Sequence, residues 1–253
     1  MDVTEPLFIA LLIATGLAAG FINTIAAGGS NLTIPALMVL GMPADVANAT
    51  NRVSVFMTAV SSIRGFHRQD RLPTHDLPGI LLPTMAGGLI GAVLAAWLPV
   101  DTLKPLLLLT MISMTILMLV RPAVIAVPPG TEAHTVAQRP ASGWMLLLAG
   151  IYGGFVQAGV GFVLLAVIAG SLRYDLVRAN AVRQVCTLAF TVVSLAIFIA
   201  NDLILWIPGL IVGASSMIGA HFAVRFAINA SQRALRLFLL LMTVCASIAA
   251  LLS

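Results

Sequence analysis

The stretch Ala26-Ala27-Gly28-Gly29-Ser30-Asn31-Leu32-Thr33-Ile34-Pro35 decides how this chain folds. Before it lies the apolar run Leu7–Ala27, long enough to cross a bilayer as a helix, which takes about 20 residues. After it comes the run Leu32–Leu40, near half that length. A second interruption, Gly159-Val160-Gly161, precedes another half-length run, Phe162–Gly170. Backbone that leaves a helix at membrane depth must be satisfied by protein or by a wet cavity. Each bare N–H or C=O costs several kcal/mol in hydrocarbon.

The surrounding composition is that of a membrane protein. Of 253 residues, 60% are hydrophobic and 9% charged, against about 45–50% and about 25% in globular chains, and the mean hydropathy is +1.08. So few charges cannot cover a soluble surface of this size. The same numbers exclude a disordered chain, a coiled coil and a nucleic-acid partner. Further apolar runs cover Val46–Ile63, Leu77–Leu98, Leu103–Val120, Trp144–Ala158, Leu176–Ala200, Leu203–Val224 and Leu235–Leu252. They are continuous rather than alternating, so the expected fold class is an all-α polytopic membrane protein and not a barrel. Asp2 and Glu5 stand where a signal peptide would carry Lys or Arg, and the first run is expected to be retained. Cys186 and Cys245 sit in apolar runs as small hydrophobes. His67, His75, His134 and His221 are scattered, so no metal and no cofactor are expected.

The chain also repeats itself. Gly16-Leu-Ala-Ala-Gly20-Phe21 matches Gly150-Ile-Tyr-Gly-Gly154-Phe155 at an offset of 134, with Asn23 opposite Gln157. Ala47-Asn48-Ala49 matches Ala179-Asn180-Ala181 at an offset of 132, with Asn51 opposite Arg183. Residues 1–120 and 143–253 are therefore expected to form two membrane repeats, joined by the proline-containing linker 121–142. Each would hold about five helical segments, one of them broken or half-length.

Charge placement suggests that the repeats point in opposite directions. Arg64, Arg68 and Arg71 follow the third run, while the matching loop of the second half reads Asn201-Asp202. Conversely, Arg225, Arg233 and Arg236 crowd the loop before the last run, while its first-half partner holds Asp101 and Lys104. Inverted repeats move the positive loop in this way. Eleven of the thirteen Lys and Arg then lie in or beside cytoplasmic loops, with Lys104 and Arg52 the exceptions, and both termini lie outside. The rival is eight conventional spans in a parallel 4+4 duplication.

Gly16/Gly20, Gly87/Gly91 and Gly150/Gly154 have the spacing of close helix packing. The two breaks read differently, because a short helix follows each. Their N-termini, with free N–H groups and the positive dipole end, would converge near the midplane as an anion cradle, with Ser30 and Asn31 as cap residues. Candidate substrate-binding residues are Gly28, Gly29, Ser30, Asn31, Thr50, Asn51 and Arg52 in the first half. In the second they are Gln157, Gly159, Gly161, Asn180 and Arg183. A guanidinium offers a fork of donors suited to oxyanions. Arg183 reads equally well as a helix-end anchor, whereas Arg52 departs from the positive-inside pattern. No acidic residue lies deep in any run, which disfavours cation transport.

These residues resemble a known family. Gly28-Gly29-Ser30-Asn31-Leu32-Thr33-Ile34-Pro35, Gly41 and Ala47-Asn48-Ala49-Thr50-Asn51 look like the first-repeat signature of the sulfite exporter TauE/SafE family. Gly150 to Phe155, Gly159-Val-Gly161 and Ala179-Asn180-Ala181-Val-Arg183 are similar to its second copy. Two departures stand out: a short glycine run at Gly28-Gly29-Ser30, and Arg183 where the family often carries lysine. The resemblance implies a multi-pass permease of the bacterial inner membrane for sulfite, sulfoacetate or related organosulfur anions. The expected function is thus a secondary transporter of small oxyanions working by alternating access. A proton or sodium ion as coupling partner and a homodimeric state are compatible with it. The alternative is a non-transporting membrane subunit or an intramembrane enzyme.

Overall fold

The computed structural model describes residues 6–26, 28–74, 76–99, 101–103, 105, 106, 109, 127, 131–231 and 234. Most of the run Leu103–Val120, the whole run Leu235–Leu252, residues 121–126 and 128–130 of the linker, and Asp2, Glu5, His75, Lys104, Arg233, Arg236 and Cys245 lie outside them. Every regular element among the described residues is helical. In chain order these are α1 (Pro6–Ala26), α2 (Ser30–Val39), α3 (Ala44–Arg68) and α4 (Leu77–Trp97). After the linker come α5 (Pro140–Phe155), α6 (Val160–Leu165), a π-helical continuation Ala166–Ser171, α7 (Leu176–Ala200) and α8 (Trp206–Asn229). Both half-length runs are short helical segments, and each precedes a helix of 25 residues.

Helices α1, α4, α7 and α8 are long and apolar enough to cross a membrane. The chain is a multi-pass membrane protein. Large apolar side chains such as Leu82, Leu148, Ile207 and Phe222 are exposed on its outside. All three tryptophans are exposed at or near helix ends, Trp97 closing α4, Trp144 near the start of α5 and Trp206 opening α8, as interfacial rings are. Helix α3 has the length to cross but carries Asp45, Arg52, Arg64 and Arg68.

Three boundaries differ from the apolar runs. Helix α3 continues through Arg68 and α8 through Asn229, so Arg64, Arg225 and Arg68 ride on helices rather than in loops, Arg68 in the last turn of α3. Cations are favoured there by the carbonyl end of the helix, which an apolar count ignores. Helix α5 opens at Pro140, inside the segment read as linker, because proline is pre-organised for a first helical position.

The long helices pack in the order α5, α4, α7, α3, α8, α1. Read from either end, the order is the first helix of one half, the last of the described long helices of the other, then a 25-residue helix. Close contacts repeat in the same way. A Cβ on Gly16 would meet the Val212 carbonyl and one on Gly20 the Ser216 carbonyl; a Cβ on Gly150 would meet the Thr84 carbonyl and one on Gly154 the Gly88 carbonyl. A Cβ on Gly219 would meet Leu17 and Phe21 backbone, and one on Gly91 would meet Ile151 and Phe155. The glycines read as packing positions are where backbone touches backbone. At the centre, α3 and α7 run antiparallel. Phe66, late in α3, packs with Leu176 and Val177 at the start of α7, while Phe198, late in α7, packs with Ala49 and Val53 near the start of α3.

The segment leading into α5 is tied to the bundle by charge. Asp76 accepts from the Val136 amide at 2.6 Å, and Arg178 donates to the Thr131 carbonyl at 2.9 Å and to Asp175. Burial and the Asp76 carboxylate push the neighbouring Tyr174 hydroxyl above its ordinary pKa, with Arg178 pulling the other way.

The glycine seams give the first test. Gly20→Ala would place its Cβ 2.0 Å from the Ser216 carbonyl oxygen. The substitution is expected to lower unfolding free energy in micelles by about 1–3 kcal/mol. Gly170→Ala, which meets nothing within 4 Å, should leave it unchanged.

Candidate functional site

Polar side chains gather where the short segments leave their preceding helices. At the first break α1 ends at Ala26 and the chain turns back along it. A Cβ on Gly29 would lie 2.4 Å from the Ala19 carbonyl, while Leu37, near the end of α2, packs with Phe8 and Leu12. Helix α2 therefore starts well inside the bundle. Three amides of its first turn are already engaged. Asn31 N donates to Gly28 O at 3.1 Å, and Leu32 N and Thr33 N donate to Gly29 O at 3.0 and 3.1 Å. The cap position is Gly29, without a side-chain cap, and Ser30 and Asn31 lie inside the helix. They lie one and two positions too late to cap.

Side chains supply the chemistry instead. Asn51 Nδ2 donates to Ser30 Oγ at 3.1 Å, and Thr33 Oγ1 donates to Asn51 Oδ1. These residues, with Asn23, Ser54 and Thr58, line a cavity of about 10 Å³, room for one water. Both side-chain atoms of Asn31 are buried without a hydrogen-bond partner, as are Asn48 Oδ1 and Gln184 Oε1. Buried polar atoms are seldom left so.

The two arginines lie at the heart of the bundle. Arg52 is 0% exposed and Arg183 1%. Arg52, about two turns into α3, reaches the other half's break. Its Nη1 donates to Gly153 O at 2.6 Å and to Gln157 Oε1, its Nη2 donates to Gly154 O at 2.7 Å, and its Cζ lies 5.5 Å from the Phe198 ring centre. Arg183, about two turns into α7, does the converse. Its Nη2 donates to Asn23 O at 2.7 Å and Thr24 O at 2.9 Å, while Asn180 Oδ1 accepts from its Nε at 3.2 Å. Each guanidinium thus caps the carbonyl end of a helix that stops inside the bundle, α5 for Arg52 and α1 for Arg183. The last four carbonyls of a helix lack internal partners and carry the negative dipole end. Among the described residues neither arginine has a carboxylate partner; the ion pair present is Arg178–Asp175.

The second break is tighter. Gln157 and Gly159 adopt left-handed backbone, with φ of 68° and 77°, and the Ala158, Val160 and Phe162 amides donate to nearby carbonyls. Such backbone is uncommon for glutamine, and the Arg52 hydrogen bond holds it. Gly161 is buried in the first turn of α6.

Of the residues expected at the site, Gly29, Ser30 and Asn51 meet around the first-break cavity, with Gly28 beside them and Asn31 in the same turn. Arg52 and Gln157 meet at the second break, and Asn180 orients Arg183. Thr50 is elsewhere: its hydroxyl accepts from the Leu205 amide at 3.0 Å, at the entry to α8. Aligning the halves sets Asn51 opposite Arg183, whereas in the fold Arg52 does the corresponding work. Thr24, Thr33, Ser54, Thr58 and Ser62 were hidden inside apolar runs. Thr50, Ser54, Thr58 and Ser62 recur at four-residue spacing on α3, a helical row of hydroxyls that could have revealed them.

Paired broken helices inside a multi-pass bundle define the class, a polytopic membrane protein built as transporters are. The chain belongs to the sulfite exporter TauE/SafE family, which matches residues 12–250. It is 28% identical over 239 residues to a probable membrane transporter protein of Haemophilus influenzae, covering 93% of this chain and 91% of the relative. It is 27% identical over 237 residues to the probable membrane transporter protein YfcA of Escherichia coli K12, covering 92% and 85%. A probable membrane transporter protein, ORF9, of Sinorhizobium sp is 24% identical over 241 residues, covering 95% and 91%. These are names of transporters, not of enzymes. No solved structure matches the chain.

Removing a guanidinium orphans the helix end it caps. Arg183→Ala is expected to cost roughly 1–3 kcal/mol for each of the Asn23 and Thr24 carbonyls, read as the shift in reversible unfolding in mixed micelles. Arg183→Lys, which keeps the charge but lacks the fork, should lose less.

Proposed function

We propose that this protein is a secondary carrier of small oxyanions, sulfite, sulfoacetate or related organosulfur anions, across the bacterial inner membrane. The observation that carries the reading is the pair of buried guanidiniums. Two cations held in the bilayer core on neutral carbonyls, without a carboxylate, leave positive charge that an anion would neutralise. Burying a charge costs several kcal/mol even after relaxation. Carbonyl dipoles and the Phe198 ring offset part of that cost; a sulfonate or sulfite would offset more, through charge-assisted hydrogen bonds.

The halves act as inverted repeats. The antiparallel α3 and α7, the palindromic packing order and the duplicated glycine seams support this organisation over a parallel 4+4 duplication. The cavity at the first break has room for one water, too little for an oxyanion, so the described conformation is closed. Because each arginine is bonded to the opposite half, an anion that draws a guanidinium away also loosens the tie between halves. Binding is thereby coupled to the rocking of one half against the other, as alternating access requires. Gly29, Ser30, Asn31 and Asn51 line the route at the first break; Gln157, Gly159, Gly161 and Asn180 shape the second.

Purified protein in liposomes tests the proposal. Uptake of radiolabelled sulfite or sulfoacetate should saturate and be blocked by excess unlabelled anion, with no uptake of sodium in its place. Asn51→Ala, eluting as a folded monodisperse species, should lower uptake about tenfold, the equivalent of one hydrogen bond to a charged group. Uptake equal to that of protein-free liposomes would overturn the assignment.

A further inference from the structure

A second cationic feature lies outside the breaks. Helices α3 and α8 run side by side and nearly touch at Gly65, whose added Cβ would stand 3.0 Å from Val224 Cγ1. Ser61 Oγ donates across the seam to the Met217 carbonyl at 3.1 Å. Beyond that contact the helices enclose a groove of about 360 Å³. Arg64 and Arg68, one turn apart on α3, and Arg225 on α8 line it, together with His221. Among the described residues no acidic side chain does. All three arginines are exposed. Val60, Met217 and Ile228 give it apolar lining as well. It is continuous with lipid-facing surface, where Val60 is 38%, Ile218 53% and Phe222 57% exposed.

Positive charge at a cytoplasmic helix end is expected of any membrane protein. A groove that combines three guanidiniums with apolar side chains is more selective. Its lining matches an amphiphile with an anionic head and an apolar tail.

We propose that this groove is a binding site for an anionic phospholipid. The phosphate lies against Arg64, Arg68 and Arg225, and an acyl chain lies along Val60, Met217 and Ile228. Guanidiniums bind phosphate oxygens bidentately, and basic pockets between membrane helices recognise anionic headgroups. The seam it occupies joins the first half to α8, so an occupied groove would clamp that pair.

Native mass spectrometry of the purified protein with dioleoyl phosphatidylglycerol and dioleoyl phosphatidylcholine tests this. Phosphatidylglycerol adducts should survive at collision energies that strip phosphatidylcholine. They should fall at least about tenfold in the Arg64→Gln/Arg68→Gln/Arg225→Gln variant. Arg139→Gln/Arg173→Gln, which removes exposed charge elsewhere, should keep them. Equal retention of both lipids, an unaffected triple variant, or an equal loss in the control pair would each overturn the site. Displacement of the lipid by millimolar inorganic phosphate would overturn it too, by showing a soluble anion rather than a lipid as occupant.

Discussion

Two guanidiniums, each bonded to the severed end of a helix in the other half, are the constraint on which this structure depends. A helix that stops inside a membrane bundle leaves carbonyls that neither lipid nor its own backbone can satisfy. Arg52 answers for Gly153 and Gly154, and Arg183 for Asn23 and Thr24. The planar fork suits the task, because neighbouring carbonyls at a helix end face one way and one side chain reaches both. The result is a pair of cations buried inside the bundle, held by neutral dipoles. Such an arrangement needs a tightly closed bundle.

Closure is provided by glycine. Where α1 meets α8 and where α4 meets α5, backbone lies against backbone with no room for a methyl group. The seams bring helices of opposite halves close enough for an arginine on α3 to reach the end of α5, and for one on α7 to reach the end of α1. Packing and electrostatics are thus one arrangement. Wider seams would leave both guanidiniums short of their carbonyls.

Much of this was legible in the chain. The half-length runs, the duplicated glycines and Arg52 inside an apolar run were visible because membrane helices write their lengths in hydrocarbon and tolerate few charges. What the arginines touch was not. Periodicity places a residue on a helix, but whether Arg52 faces a solute or a neighbour's carbonyl depends on how two distant segments pack. The same holds for the first turn of α2. Free amides were expected there, yet Gly28 and Gly29 turn so that their own carbonyls accept from Asn31, Leu32 and Thr33. Thr50 looked like part of the site by proximity to Asn51, but one residue is about 100° of helix rotation, and it faces the entry to α8 instead. Helix ends carrying Arg68 and Asn229 were misjudged because charge ends an apolar run without ending a helix.

The central claim concerns where a negative solute goes. Selenite has the shape and charge of sulfite and carries an anomalous scatterer, so crystals of the protein grown with it would locate the anion directly. The account predicts one selenium peak inside the bundle, within hydrogen-bond reach of Arg52 or Arg183 and beside Asn51. Selenium found only at the surface, with both guanidiniums still on their helix ends, would contradict it.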